Sequence, residues 1–265
     1  MKSLSKHLHT LFDDAEKNSA KAAEDFDEEA IHEMRVAFKK IRALFNMMIY
    51  LFPQLLSEED WKKAKKTFRR AGVLRENQLI YGKIERMKLK DEESKKMLLD
   101  FLKEKEKKSK NKFEHQFEHA GIEEHKELKK KMLEISKDIT EAQLTIYFEN
   151  LLSKIMQLRK KNDRAIPELH SLRKLLKELK YNLALAPLAL KEKISIEFSE
   201  ENIEDWEVLI GDWHDEIVFI LRIKKIEERM TAEGNLKLLL EKIQSLWRRR
   251  SERKLATINR EIAVK

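Results

Sequence analysis

Two stretches of the sequence repeat one pattern of histidine and basic residues. In each stretch a histidine is followed by basic residues three, seven and ten positions later. The residues are His32, Arg35, Lys39 and Arg42 in the first stretch, and His170, Arg173, Lys177 and Lys180 in the second. Arginine can form two parallel hydrogen bonds with phosphate, lysine adds a mobile point charge, and histidine donates a further hydrogen bond. The pattern therefore predicts a surface that binds a phosphate-rich anion.

A second short motif follows each histidine pattern at nearly the same distance. Gly72 begins the sequence Gly-Val-Leu-Arg-Glu, 40 positions after the first histidine. Gly211 begins Gly-Asp-Trp-His-Asp, 41 positions after the second histidine, and both motifs read Gly-x-x-basic-acidic. Two motifs in the same order and at similar separations indicate an internal duplication with a pseudo-two-fold relation. The histidines lie 138 positions apart, and we expect repeat halves at residues 1–160 and 161–265 of a single domain.

The spacing of the basic residues places each set along one face of a helix. At about 100° per residue, offsets of three, seven and ten fall within a narrow arc near the histidine. Apolar residues occupy the opposite face of each predicted helix. They are Met34, Phe38, Ile41, Leu44, Phe45 and Met48 in the first helix, and Leu172, Leu175, Leu176, Leu179 and Leu183 in the second. Each basic stripe is about 15 Å long and could meet several phosphates of an extended chain.

The stripes contain no acidic residue, although lysine and glutamate are mixed in other helical segments such as 123–127. A solvated helix face is the ordinary explanation of a single run of charges. Four neighbouring cations repel one another unless an anion lies among them. We therefore expect the stripes to bind a polyanion.

The composition favours long helices and an anionic partner. The 265 residues include five Gly and three Pro, charged residues make up 39%, and the formal net charge is +8. The basic balance is compatible with nucleic acid, anionic lipid or phosphate polymers. Cysteine is absent, which excludes thiolate metal sites and a cysteine nucleophile. Since no apolar run approaches 18 residues, we expect no membrane span and a cytoplasmic location.

The periodicity of apolar residues predicts a chain built from helices. A helix from Ser57 is expected to be interrupted near Gly72. Residues 193–198 alternate like a strand but are interpreted as a connection or a helix edge. Pro167 is expected in the first turn of its helix. The second helix is expected to begin at a cap on Asp25 or Asp27 and to end near Leu51. The other predicted helices cover 3–24, 57–87, 91–120, 122–160, 167–186, 200–233 and 235–262.

The two motifs resemble those of the CHAD family, the conserved histidine α-helical domain. The resemblance rests on His32-x-x-Arg35-Val36-x-x-Lys39-Lys40-x-Arg42, its second-half version His170-x-x-Arg173-Lys174-x-x-Lys177-x-x-Lys180-Tyr181, and the elements at Gly72 and Gly211. It implies an all-α fold of two four-helix bundles of long antiparallel helices, related by a pseudo-two-fold, with a basic central cleft. It also implies binding of inorganic polyphosphate and association with polyphosphate granules.

The residues that the resemblance assigns to polyphosphate binding lie in both halves. They are His32, Arg35, Lys39, Lys40, Arg42 and Arg75 in the first half, and His170, Arg173, Lys174, Lys177, Lys180, Tyr181 and His214 in the second. We expect no catalytic residue, metal or cofactor, because no paired carboxylates or activated nucleophile occur in a credible context. The oligomeric state does not follow from the sequence.

Three alternatives stay open beside this interpretation. A basic cluster at Trp247-Arg248-Arg249-Arg250, with Arg253 and Lys254, would suit nucleic acid or another polyanion. The protein could also be an accessory subunit of a polyphosphate-processing enzyme. The string His115-Gln-Phe-Glu-His119 matches an inverted zincin motif, for which surface histidines are the simpler explanation. The four tryptophans are expected in the core.

Overall fold

The structure, a computed structural model, describes residues 2–120, 123–161, 164–198 and 200–262. All regular secondary structure in these residues is helical, which confirms the predicted all-α class. One 3-10 turn, Leu183–Leu185, accompanies ten α-helices in the described part of the chain. The α-helices are α1 (Lys2–Asp25), α2 (Glu28–Leu51), α3 (Lys62–Glu85), α4 (Glu92–Ala120), α5 (Glu123–Ile135), α6 (Glu141–Arg159), α7 (Ile166–Asn182), α8 (Leu188–Phe198), α9 (Glu200–Met230) and α10 (Gly234–Ile262).

The helices form two compact units. Unit 1 comprises Met1–Lys88 and Met97–Tyr147, and unit 2 comprises Leu89–Lys96 and Phe148–Lys265. In unit 1, α1 packs antiparallel to α2, and α2 also contacts α3 and α5. In unit 2, α9 packs antiparallel to α10 and contacts α7. The pseudo-two-fold relation and the central cleft stay predictions.

The core of unit 1 is built on the apolar face of α2. The helix begins after Asp27, whose side chain accepts a hydrogen bond of 2.7 Å from the backbone N–H of Ala30. Its buried residues recur three and four positions apart, as the sequence predicted, and include Met34, Phe38 and Ile41. This burial fixes the rotation of α2, so that the stripe residues lie away from the core.

In unit 2 the buried residues include the apolar face of α7, which packs against α9. Pro167 lies in the first turn of α7, and the Glu168 side chain accepts a hydrogen bond from the backbone N–H of Ala165. Leu172, Leu176 and Leu179 form its buried face. The four tryptophans of the chain are all buried, which confirms their predicted place in the core.

Two predicted helix boundaries in unit 1 are wrong. Helix α3 is continuous through Gly72 and begins at Lys62, because Asp60 instead caps a turn by accepting from the Ser57 N–H. The predicted helix 122–160 is two helices, α5 and α6. Thr140 and Gln143 form a reciprocal capping box at the start of α6, a signal that the sequence carried.

The structure also differs from the prediction at the end of α7 and in the segment that follows it. The helix ends at Asn182, four residues before the predicted end, and a 3-10 turn follows it. The alternating segment 193–198 belongs to helix α8, because its residues continue an α-helical turn rather than pair with another strand. Gly121, the predicted end of the fourth helix, lies outside the described residues. No helix among the described residues is both long and apolar enough to cross a membrane.

Candidate functional site

The first motif surface consists of the predicted binding residues of unit 1. His32, Arg35, Lys39, Lys40 and Arg42 come from α2, and Arg75 comes from the adjacent helix α3. His32 is half exposed, and its Nε2 atom lies 3.8 Å from a carboxylate oxygen of Glu33. The close packing of α2 and α3 therefore brings the two sequence motifs of this half together.

Arg35 lies at the centre of the first motif surface. Its Nη1 atom donates a hydrogen bond of 2.9 Å to the backbone carbonyl of Phe68, and its guanidinium lies 4.3 Å from the centre of the Phe68 ring. A Cβ atom on Gly72 would lie only 2.6 Å from Nη1, so the glycine makes room for this guanidinium. Burial lowers the pKa of Arg35, Glu76 opposes that effect and Arg75 adds to it. The group remains cationic because free guanidinium has such a high pKa.

The outer cations of the first motif surface form ion pairs with acids from outside the stripe. Arg42 contacts Glu58 at 2.5 Å and lies 5.2 Å from the ring centre of Trp61. Arg75 contacts Glu28, at the first turn of α2, also at 2.5 Å. Exposed pairs of this kind contribute little to stability, but they reduce the local positive charge.

Lys40 occupies the margin of the first motif surface. Its charge adds to burial in lowering the pKa of His7 on α1. The rotation of an α-helix also places consecutive residues such as Lys39 and Lys40 about 100° apart. We therefore place Lys40 closer to α1 than to the centre of the stripe.

The second motif surface consists of the predicted binding residues of unit 2. Six of them lie on α7, and His214 lies on α9, which packs against α7. Arg173 faces Gly211, and a Cβ atom on that glycine would lie 3.5 Å from Arg173 Nε. The Nε atom is buried without a hydrogen-bond partner. Among the described residues, no carboxylate lies close enough to Arg173 to form an ion pair.

Two lysines of the second motif surface are held by carboxylates of α9. Lys177 contacts Glu207 at 2.9 Å, and Lys180 contacts Glu204 at 2.7 Å and Glu207 at 3.8 Å. Burial opposes ionisation of Glu207, but the hydrogen bond from Lys177 and the charges of Lys177, Lys180 and Arg173 outweigh it and lower its pKa. Glu207 is therefore an internal counter-ion at physiological pH.

His170 and His214 form a pair at the other end of the second motif surface. Their ring centres are 4.9 Å apart and the ring planes are inclined by 34°. Burial lowers the pKa of both imidazoles, and the charges of Arg173 and Lys174 lower each of them further. His170 also lowers the pKa of His214, whereas Asp215 opposes these effects. The histidines are therefore predominantly neutral at physiological pH.

Tyr181 and Lys174 complete the second motif surface. Burial raises the pKa of Tyr181, the charge of Glu207 raises it further, and Arg173 opposes the change. The phenol therefore stays protonated and can donate a hydrogen bond. Lys174 is exposed and forms no ion pair with the residues that the structure describes.

Carboxylates from other positions of the chain lie beside several cations of the motif surfaces. No stripe position is an acid, but helix packing brings glutamates into contact with these cations. These acids are Glu28 and Glu58 in unit 1, and Glu204 and Glu207 in unit 2. The sequence analysis did not identify them, because exposed glutamates are common in this chain and nothing local marks these four.

The predicted alternatives have different outcomes. Within the described part of the chain, no group of three or more His, Cys, Asp or Glu side chains could hold a metal ion. Two residues of the zincin-like string, Glu118 and His119, have side chains that lie outside the described set. The predicted basic cluster lies on α10, where Arg248, Arg249, Arg250 and Arg253 are exposed.

Comparison with known proteins agrees with the all-α fold and identifies the family. A crystal structure of the CHAD domain from the plant Ricinus communis is similar, with a TM-score of 0.77 and 12% sequence identity. The similarity covers 97% of this chain and 90% of the plant chain, and at this identity it shows the fold alone. A search of curated proteins finds no match. The sequence model of the CHAD domain matches residues 6–224, most of the chain, and the protein therefore belongs to the CHAD domain family.

Proposed function

We propose that this protein binds inorganic polyphosphate through the two motif surfaces and does not chemically alter it. The single observation that carries the proposal is the matched placement of Arg35 and Arg173. Each guanidinium packs against the glycine of the second motif, Gly72 or Gly211. Neither forms an ion pair with a described residue, although the arginines and lysines beside them include several that do.

The chemistry of these two positions suits successive phosphates of a chain. A guanidinium without a carboxylate partner keeps donors that can bind phosphate in a bidentate manner. Arg35 has one hydrogen bond, to a backbone carbonyl, and Arg173 has none with the described residues. The flanking lysines act as mobile point charges, and a bound polyanion can replace glutamate as their partner.

The proposal includes a scaffolding role, with association at polyphosphate granules. Membership of the CHAD family supports polyphosphate as the ligand, because the two motif patterns resemble those of that family. The surfaces offer hydrogen-bond donors and positive charge, and these suffice to hold a polymer. Binding alone is therefore the simplest activity that the geometry supports.

Titration calorimetry tests the proposal with three ligands at physiological salt: long-chain polyphosphate, duplex DNA of matched charge, and heparin. The wild type is compared with a variant carrying Arg35→Ala and Arg173→Ala. A control carrying Lys107→Ala and Lys112→Ala removes the same charge from exposed positions on α4 that form no described ion pair. We expect selective, tight polyphosphate binding that only the arginine variant loses. Equal binding of all three ligands, or equal effects of both variants, would contradict the proposal.

A further inference from the structure

A row of exposed basic residues runs along α10, outside both motif surfaces. Lys242, Arg249 and Arg253 are all exposed, and Arg249 and Arg253 lie seven and eleven positions after Lys242. At 100° per residue, these offsets bring all three side chains within about 40° of one another. Leu246, which is 51% exposed, lies between them on the same face. We call these four residues the α10 row.

The cations of the α10 row have no counter-ions in the described part of the chain. Lys254, on the flank of α10 that faces α9, contacts Glu216 at 3.0 Å and Asp212 at 3.4 Å. By contrast, Lys242, Arg249 and Arg253 form no ion pair with any described residue. Arg248 and Arg250 add exposed positive charge on either side, and the acids Glu241 and Glu252 lie toward one edge of the helix face.

The α10 row is separate from the second motif surface within unit 2. On α9, the residues that meet the motif helix α7 include Glu207 and Gly211. The residues of α9 that meet α10 include Glu216 and Phe219, whose ring lies 4.6 Å from that of Trp247. Helix α9 therefore lies between the two basic surfaces. Helix α10 also begins at Gly234, after the end of the family match at residue 224.

We propose that the α10 row is a second polyphosphate-binding surface, an inference that rests on the proposed function. Its two arginines can form bidentate hydrogen bonds with phosphate, and the three cations span about 16 Å along the helix. Among the described side chains of α10, the one aromatic ring, Trp247, is only 7% exposed. Single-stranded nucleic acid is commonly held by stacking on exposed aromatic rings. The row therefore favours a ligand that offers phosphate without bases.

A second surface in unit 2 predicts a dependence on polymer length. A short polyphosphate can occupy one surface at a time, whereas a long chain can contact both in succession. The second contact is then intramolecular and raises the overall affinity through the effective concentration of the tethered segment. The α10 row should consequently matter for long chains and have little effect on tripolyphosphate binding at the motif surfaces.

The test is a set of binding titrations with labelled long-chain polyphosphate and labelled duplex DNA, over a series of salt concentrations. The α10 variant carries Arg249→Gln and Arg253→Gln, and its control carries Lys107→Gln and Lys112→Gln. Both pairs are made in the wild type and in the variant with Arg35→Ala and Arg173→Ala. Circular dichroism verifies that all proteins remain folded.

We expect the α10 variant to bind long-chain polyphosphate about tenfold more weakly in both backgrounds, the size that two exposed charge contacts support. The slope of log affinity against log salt should fall by roughly 1.5, as expected for the loss of two phosphate contacts. An effect no larger than that of the lysine control would overturn the inference. An effect on DNA but not on polyphosphate would also overturn it.

The design separates this inference from the proposed function. If the motif arginines prove unimportant but the α10 variant weakens binding, the motif surfaces fail as the site and the α10 row stands. If the motif variant loses binding and the α10 variant matches its control, the motif surfaces stand as the binding site and the α10 row fails. If both matter, the combined variant should bind more weakly than either variant alone.

Discussion

The two motif surfaces share one sequence pattern but hold their cations differently. In the first, the central arginine is anchored to the backbone carbonyl of Phe68 and to its ring, and the outer arginines pair with exposed glutamates. In the second, Arg173 has no such anchor, and a partly buried glutamate binds two lysines. A repeated motif can therefore preserve the positions of the charges while their counter-ions differ.

The largest effect should come from the central arginines taken one at a time. Arg173→Ala is expected to weaken polyphosphate binding by about tenfold to a hundredfold, because it removes charge-assisted hydrogen bonds, and to leave stability nearly unchanged. Arg35→Ala should weaken binding similarly and also lower the free energy of unfolding by about 1–2 kcal/mol, since it loses the contacts with Phe68. Calorimetric titration and urea unfolding measure the two quantities. Equal stability losses in the two variants would contradict the difference in anchoring.

Unit 1 also contains a buried histidine outside its motif surface, and protonation of that residue in acid should destabilise the fold. Burial first, and then the charge of Lys63, lowers the pKa of His125 from 6.5 to about 4, and its ring lies 5.2 Å from that of Phe38. Between these pH values the unfolded chain binds more protons than the folded one, so stability falls as the pH falls. The loss contributed by this residue should reach at most about 3 kcal/mol near pH 4.

Urea unfolding between pH 7 and pH 4 measures this loss. In His125→Leu the part of the acid destabilisation that comes from this residue should be absent. The same substitution at the exposed residue His32, His32→Leu, serves as the matched control. Identical pH profiles for wild type and His125→Leu would show that the buried imidazole does not contribute.

The glycines of the two surfaces offer a closely matched pair of substitutions. In Gly72→Ala the new Cβ atom would lie 2.6 Å from Arg35 Nη1, so the flexible guanidinium must move and polyphosphate affinity should fall several-fold. In Gly211→Ala the nearest atom, Arg173 Nε, would be 3.5 Å away, which is an ordinary contact. That variant should keep its polyphosphate affinity. Its free energy of unfolding should rise by about 0.5–1 kcal/mol, because alanine favours a helix more than glycine does. Equal losses of polyphosphate affinity in the two variants would show that the shorter distance between Gly72 and Arg35 does not affect binding.

Removing a counter-ion should strengthen binding more in the second surface than in the first. Glu207→Gln releases Lys177 and removes one of the two carboxylates beside Lys180, which keeps its contact with Glu204, whereas Glu28→Gln releases only Arg75. We expect a several-fold gain in polyphosphate affinity for the first variant and a smaller gain for the second, since Glu28 is 60% exposed and already screened by solvent. Anisotropy titrations at low and physiological salt measure both. A loss of affinity in Glu207→Gln would indicate that this carboxylate positions the lysines rather than competing for them.

The smallest expected effect is the pH dependence contributed by His170 and His214. Their lowered pKa values keep them neutral until the pH falls below the ordinary histidine range, and protonation then adds charge that attracts a polyanion. Polyphosphate affinity should therefore rise by only about twofold between pH 7.5 and 5.5. The double variant His170→Gln, His214→Gln should flatten this rise. A flat profile in the wild type would contradict it.

The sequence predicted the positions of most helices and the faces that they bury. The apolar period of α2 placed Met34, Phe38 and Ile41 in the core, and the proline near the start of α7 marked its first turn. These features depend on contacts within a few residues, which periodicity reports directly. The sequence signal for the break between α5 and α6 was also local, since Thr140 and Gln143 form a capping box. It was missed because the helical pattern continues across the break.

The duplicated motifs by themselves determined which residues lie on the basic stripes and which glycine accompanies each central arginine. Only the tertiary structure decided which of these cations are neutralised. Glu58 lies 16 residues from Arg42, and Glu28 lies 47 residues from Arg75. An ion pair forms where helix packing brings two side chains within a few ångströms, and no local pattern specifies that distance. The sequence therefore predicted which residues form the stripes, whereas the fold determined which of their charges are neutralised by ion pairs.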